Sequence, residues 1–310
     1  MIIEKKPILE AECKRSYHAY ASARLAFKAY LASLHFTREE KVLLPAYIGW
    51  SSREGSGVFD PITELSLQPE FYRLDNKLFI DVDDYKTLIL KGGIKAVVII
   101  HYFGFVDPNY NELVAFAHKN NVAVLEDEAH AMLTDLVGGT AGRLGDASIF
   151  SLHKMLPVST GGVLVYNDDV RVSSDIVNSS SSLPILWEYD LKKIASKRLE
   201  NTRALVELLR KCGSEIDILR VPKNGEVPQT LPIIIKNVCR DRLYELMNES
   251  GYGVVSLYHT LIDRLTKDAY PDSHYVARRI LNLPVHQDIE VSRLPQMVDT
   301  LMDHIASLKV

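Results

Sequence analysis

Residues 95–127 run through an oily segment, KAVVIIHYFG, an amphipathic one, NYNELVAFAHKNN, and a second oily one, VAVLED. No other part of the chain constrains the fold as strongly. An apolar run of strand length needs cover on both faces, and a neighbouring segment with apolar residues at helical spacing supplies it. The rhythm extends both ways. SARLAFKAYLASLHF predicts a helix with Leu25, Ala29, Leu31 and Leu34 available to its inner face, and VLLPAY a strand ending at Pro45. VFD and ITELSL read as strand fragments, DVDDYKTLILKGG as a helix stopped by Gly92 and Gly93, and ASIFSLH and GVLVYND as further strands. The expected class is α/β, a three-layer sandwich with a mostly parallel central sheet between helices.

From Leu183 the rhythm changes. EYDLKKIASKRLENTRALVELLRKCG predicts one or two long helices, QTLPIIIKN a strand, DRLYELMNESG a helix closed by glycine, and SRLPQMVDTLMDHIASL a terminal helix. VVSLYHTL reads as a strand or a strand running into a loop, and Asn282 and Pro284 in LNLPVH as shaping a turn. A chain of 310 residues is long enough for a large domain over residues 1–190 and a smaller C-terminal α+β domain over 191–310. The boundary falls between residues 185 and 200, with no flexible linker to mark it.

Several classes are set aside. A net charge of -4 argues against a general nucleic-acid surface, and the longest oily runs are too short to span a bilayer as a helix. The start, MIIEKKPILEAECKR, lacks the apolar stretch of a secretory signal, and Cys13, Cys212 and Cys239 are isolated, so the expected setting is cytoplasmic. Histidines 101, 118, 130 and 153 lack compact metal-ligand spacing, so no metal is expected. GGTAGRLGD lacks the ending of a nucleotide loop, and SIFSLH is not a hydrolase elbow.

The chemistry lies where the strands end. Asp127 closes VAVLED, and Ser151, His153 and Lys154 lie at or just beyond ASIF, so an open parallel sheet would bring both groups to one crevice. A desolvated lysine can form a Schiff base, and a carboxylate facing a pyridine nitrogen strengthens an electron-sink cofactor. From chemistry alone, a surface lysine and a helix-capping or salt-bridging acid are the more ordinary account. His130, three residues past Asp127, is a candidate to contact a cofactor, or a hydrogen-bonded surface histidine. Glu126 and Glu128 are not both given catalytic roles; one or both are read as facing solvent. Ser22, Ala23 and Arg24 begin a helix whose free N–H groups favour an anion, although Ser22 also suits its own cap. Trp50 would cover a flat ring or fill core.

Taken in order, VLLPAY, HYFG, VAVLEDEAHA, GRLGDASIFSLHK and STGGVLVYND, with RRILNLPVHQD near the end, resemble the DegT/DnrJ/EryC1/StrS family of sugar aminotransferases, within the type I fold of pyridoxal-phosphate enzymes. The resemblance covers most of residues 20–167, with a weaker echo from about 250 onward. It implies pyridoxal 5'-phosphate as cofactor, Lys154 as the internal-aldimine lysine, Asp127 on the pyridine nitrogen and His130 beside the ring. It implies phosphate contacts from Ser151 and the Ser22–Arg24 turn, and substrate contacts from Tyr258 and His259. It also implies a homodimer with interface active sites, aminating a nucleotide-linked keto-sugar from glutamate or glutamine. The chain departs from the family in three places. SLHK is short, which brings His153 forward as a substrate candidate; SARLA replaces a Gly-Thr or Gly-Arg helix start; and SSSLPILWEYDLKK lacks the family's asparagine-containing segment. The alternatives are a sugar dehydratase with the same cofactor and a non-catalytic ligand-binding or scaffold protein of the same fold.

Overall fold

A computed structural model describes residues 15–167, 186 and 188–309. Cys13 and most of SSSLPILW lie outside them. The first part of the chain forms β1 (Tyr17–Tyr20), α1 (Ala23–Ser33), β2 (Lys41–Pro45), α2 (Phe59–Glu64), β3 (Gln68–Tyr72), α3 (Val82–Leu90) and β4 (Ile94–Ile100). It continues with α4 (Tyr110–Lys119), β5 (Ala123–Asp127), β6 (Ala147–Ser151) and β7 (Gly162–Tyr166). These strands make one sheet in the order β1-β7-β6-β5-β4-β2-β3. Every pairing from β6 to β3 is parallel, and β7 runs antiparallel to both of its neighbours. The sheet is therefore mostly parallel.

Strand alternation sorts the core onto two faces. Ile149, Leu164 and Tyr166 join the large cluster that holds Phe27, Tyr30 and Leu31 of α1. Their neighbours Phe150, Val163 and Val165 pack instead with Met132, Leu133, Leu191 and Ala195. Ser22 caps α1 by accepting from Leu25 N–H at 3.3 Å, and Asp81 caps α3 in the same way from Asp84 N–H at 3.1 Å.

After residue 190 come α5 (Leu191–Leu209), β8 (Ile216–Ile218), β9 (Thr230–Ile235), α6 (Arg240–Glu249), α7 (Pro271–Ala277), β10 (Ile280–Pro284) and α8 (Leu294–Ser307). The three strands form a separate antiparallel sheet, β10-β9-β8, whose core contains Leu205, Ile233, Leu243, Leu283 and Leu301.

Three local expectations are corrected. Residues 59–64, read as strand, are helical, with Pro61 in the first turn where its missing N–H costs nothing. Residues 280–284 are strand β10 rather than a turn. Buried Asn282 donates to Thr230 Oγ1 at 3.1 Å and accepts from Leu257 N–H at 3.0 Å. VVSLYHTL forms no strand, touching its neighbours through the isolated bridges Val255–Asn282 and Gly49–Leu261. Among the described residues, no helix is long and apolar enough to cross a membrane, and no three His, Cys, Asp or Glu side chains are grouped to hold a metal.

Candidate active site

β4, β5 and β6 are adjacent and parallel, so Ile100, Asp127 and Ser151 finish on the same edge of the sheet. Asp127 is buried, and its Oδ1 accepts from Ala129 N–H at 2.9 Å in a tight turn. Beyond β6, a single 3-10 turn, Leu152–Lys154, directs the chain back over that edge, held by Leu152 N–H on Gly161 O at 3.0 Å. The two stretches thus meet. Burial pushes the Lys154 amine below its ordinary value, with the charges of Asp127 and then Glu54 opposing. Burial raises the Asp127 carboxyl, with Lys154 the chief opposing charge.

His130 completes the group. Its Nε2 lies 3.0 Å from Lys154 Nζ, and its Nδ1 accepts from Phe103 N–H at 3.3 Å. The ring is 2% exposed, and burial, followed by the nearby lysine, pushes its pKa well below the usual histidine value. Phe103 stacks on it with centroids 5.8 Å apart, and Tyr258 lies 5.7 Å away on a tilted plane.

Ser151 pairs in register with Gly162, and a Cβ at Gly162 would collide with the backbone of Ser22 and Ala23. Glycine therefore lets the start of α1 settle beside Ser151, where the first-turn N–H groups of Ala23 and Arg24 have no helical carbonyl to meet. The Ser22 hydroxyl is occupied by its own cap. The Arg24 guanidinium is also engaged, with Glu54 O and, at 3.1 Å, Asp60. What this turn offers an anion is backbone. The Ser151 hydroxyl lies 3.3 Å from His153 Nδ1.

Tyr258 and His259 separate. Tyr258 packs edge-on to Tyr47 and Tyr102, with centroids at 5.6 and 5.8 Å, in a left-handed backbone conformation at φ 60°. A Cβ at Gly49 would strike its ring. His259 is exposed and bonds Ser256 O at 2.7 Å through Nδ1. Trp50 is 47% exposed, so its ring does not fill core, and its backbone N–H donates to Thr260 O at 3.0 Å, tying it to the 256–262 segment. The structure also adds Tyr47, Tyr102, Phe103 and Glu54, none of them singled out from the sequence. Glu126 and Glu128 do not face solvent; both are fully buried.

The sequence pattern of the DegT/DnrJ/EryC1/StrS aminotransferase family matches residues 14–177, just over half of the chain. The chain belongs to this family. The family is pyridoxal-phosphate-dependent. A Campylobacter jejuni UDP-4-amino-4,6-dideoxy-N-acetyl-beta-L-altrosamine transaminase is 24% identical, over 77% of this chain and 74% of its own length. An uncharacterised Methanocaldococcus jannaschii protein is 23% identical over 66% of this chain, which spans about half (51%) of that relative. An Escherichia coli GDP-4-keto-6-deoxy-D-mannose-3-dehydratase with bound hydrated PLP has the same fold, at TM-score 0.72 and 18% identity, covering 94% of this chain and 89% of the other. The family member thus has the type I architecture, which both transaminases and a dehydratase use.

Proposed function

We propose that this protein transfers an amino group from glutamate or glutamine to a keto-sugar, nucleotide-linked, using pyridoxal 5'-phosphate. The observation that carries the proposal is the half-buried Lys154 amine, set against Asp127 and 3.0 Å from His130 at the carboxyl edge of a parallel sheet.

The donor set fits the cofactor. Asp127 would hold the pyridine nitrogen and His130 would lie beside the ring. The phosphate would take the N–H groups of Ala23 and Arg24 and the Ser151 hydroxyl. Bound there, pyridoxal phosphate supplies an electron sink for negative charge at the substrate carbon. The chain's own work is proton handling and positioning. Lys154, its amine pushed by burial toward the neutral form, would serve as nucleophile and would carry a proton between two carbons of the substrate and cofactor. Asp127, held against the ring nitrogen, would favour the protonated form of that nitrogen and so bias the electronics. Tyr258, His259 and His153 are the side chains assigned to the sugar, and Trp50 the one assigned to the flat ring. The same reading takes residues 1–190 as the cofactor-bearing domain and 191–310 as the small domain of a cytoplasmic homodimer.

The test uses the full chain with added pyridoxal phosphate. The expected result is a visible absorption band, absent from Lys154→Ala, followed by conversion to pyridoxamine phosphate on adding glutamate and amination of a nucleotide keto-sugar. A band that survives Lys154→Ala sinks the lysine assignment. A band with no accumulation of pyridoxamine phosphate favours dehydration, and tight binding with no turnover across donors favours a scaffold.

A further inference from the structure

His130 is a buried imidazole between two nitrogen partners, and these partners dictate its chemistry. Its Nδ1 accepts from a backbone N–H, that of Phe103, which can neither accept a bond nor titrate. A neutral ring then carries its proton on Nε2, and that nitrogen faces Lys154 Nζ at 3.0 Å. An Nε2–H donor needs a lone pair opposite it, and an ammonium has none. We propose that the Phe103 amide locks His130 in the Nε2–H tautomer, making His130 a positioning residue that holds the Lys154 amine neutral and nucleophilic before cofactor binds.

The lock is built from the HYFG turn. Phe103 has φ 59° and Gly104 φ 96°, with no room for a Cβ on Gly104 against the Val227 carbonyl. The turn is tied down by Gln229 N–H on Phe103 O at 2.8 Å, Thr134 Oγ1 on Gly104 O at 2.8 Å and Val227 N–H on Thr134 Oγ1 at 3.0 Å. A non-glycine residue keeps a left-handed backbone only where its surroundings over-determine it, as these do. The groups facing Lys154 make a counterweight necessary. Asp127 from β5 and Glu54 from the loop after β2 favour an ammonium, while His153 of the same turn and the Tyr258 phenol supply no negative charge. His101 acts on Asp127 rather than on Lys154, its Nε2 lying 2.7 Å from Glu126 Oε2.

The inference rests on Lys154 being the reactive amine but is read without turnover. The experiment is nitrogen and carbon NMR of the cofactor-free full chain labelled at histidine and lysine, with Lys154→Arg and His130→Gln assigning the signals. The expected result is a pyridine-type Nδ1 and a pyrrole-type Nε2 at His130 around neutral pH. Lys154 should titrate below the other lysines, and in His130→Gln, whose side-chain carbonyl welcomes an ammonium, its midpoint should rise by about one pH unit, a tenfold loss of neutral amine. A pyrrole-type Nδ1, or a Lys154 midpoint unchanged in His130→Gln, overturns the lock. If His130→Gln does not fold, the wild-type tautomer decides. The stated tautomer in a chain that forms no band with pyridoxal phosphate would sink the cofactor reading alone, and a Lys154-dependent band beside an Nδ1–H histidine would sink the lock alone.

Discussion

Glu126, Asp127 and Glu128 are consecutive and buried, yet strand alternation sends the outer two to one face of the sheet and Asp127 to the other. On the outer face Glu126 is saturated. Its Oε1 accepts from Tyr110 OH at 2.8 Å and Gly145 N–H at 2.6 Å, and its Oε2 takes Gly142 N–H at 2.9 Å and His101 Nε2 at 2.7 Å. Burial pushes this carboxyl up, but the His101 contact, with Gly145 and Tyr110, brings it below the usual range. The Asp127 carboxylate receives one hydrogen bond among the described residues and otherwise opposes a lysine. A saturated carboxylate has nothing left to give a ligand and braces the 138–145 loop. An unsaturated one beside an amine is available for chemistry.

That contrast breaks first at Glu126. Glu126→Ala strands a buried histidine and two backbone N–H groups, and the expected loss is about 3–5 kcal/mol of folding stability, read by urea denaturation. Because its native pKa is lowered, the contribution of Glu126 is complete above the ordinary carboxylate range and lost as pH falls through the native value. Glu126→Gln should flatten the acid limb of the stability curve; an unchanged limb would show that the saturation carries no ionic stabilisation.

Asp127→Asn should act the other way. The urea midpoint stays near that of the parent while amino transfer falls by about a thousandfold, the carboxylate being replaced by a group that cannot hold a ring nitrogen protonated. A loss in stability as large as that of Glu126→Ala would place Asp127 with the structural acids. A smaller effect belongs to Gly49→Ala. The added methyl displaces the Tyr258 ring, and a several-fold rise in KM with kcat little changed is expected if that ring borders the sugar. An equal fall in kcat would move Tyr258 into the reacting centre.

The difference between the two faces was only half legible in the sequence. β4, α4 and β5 declare themselves because an oily run, a helical period and a second oily run leave few alternatives. Lys154 and Asp127 follow once those strands have ends. α2 was obscured by a short oily segment broken by Pro61, and β10 by Asn282 beside a proline, a pair that ordinarily signals a turn. Asn282 is there because its amide links Thr230 to the 255–258 segment. The partner of His130 could not be read at all, because a backbone N–H has no letter in the sequence. The fate of Glu126 depends on Gly142 and Gly145, which adjoin it only after folding.

Glu128 sharpens the comparison from within one face. Among the described residues neither of its oxygens accepts a well-formed hydrogen bond; Ser148 stands close enough to oppose the shift but turns its hydroxyl to Gly142 O at 3.4 Å. Burial first, then Asp135 and Glu126, push this carboxyl well above its usual range. A raised native pKa reverses the sign met at Glu126. Stability is complete below the unfolded carboxylate value and is lost as pH rises toward the native one, since the folded chain holds a proton that the unfolded chain has released. Glu128→Gln keeps the shape and removes the titration. The variant should match the parent near pH 4 and exceed it by about 1–3 kcal/mol at neutral pH, measured as urea midpoints across that range. Parallel curves would mean that Glu128 is ionised in the fold, with the cations of Arg15 and Arg143, which pair with Asp135 at 2.6 and 2.7 Å, extending their compensation to it.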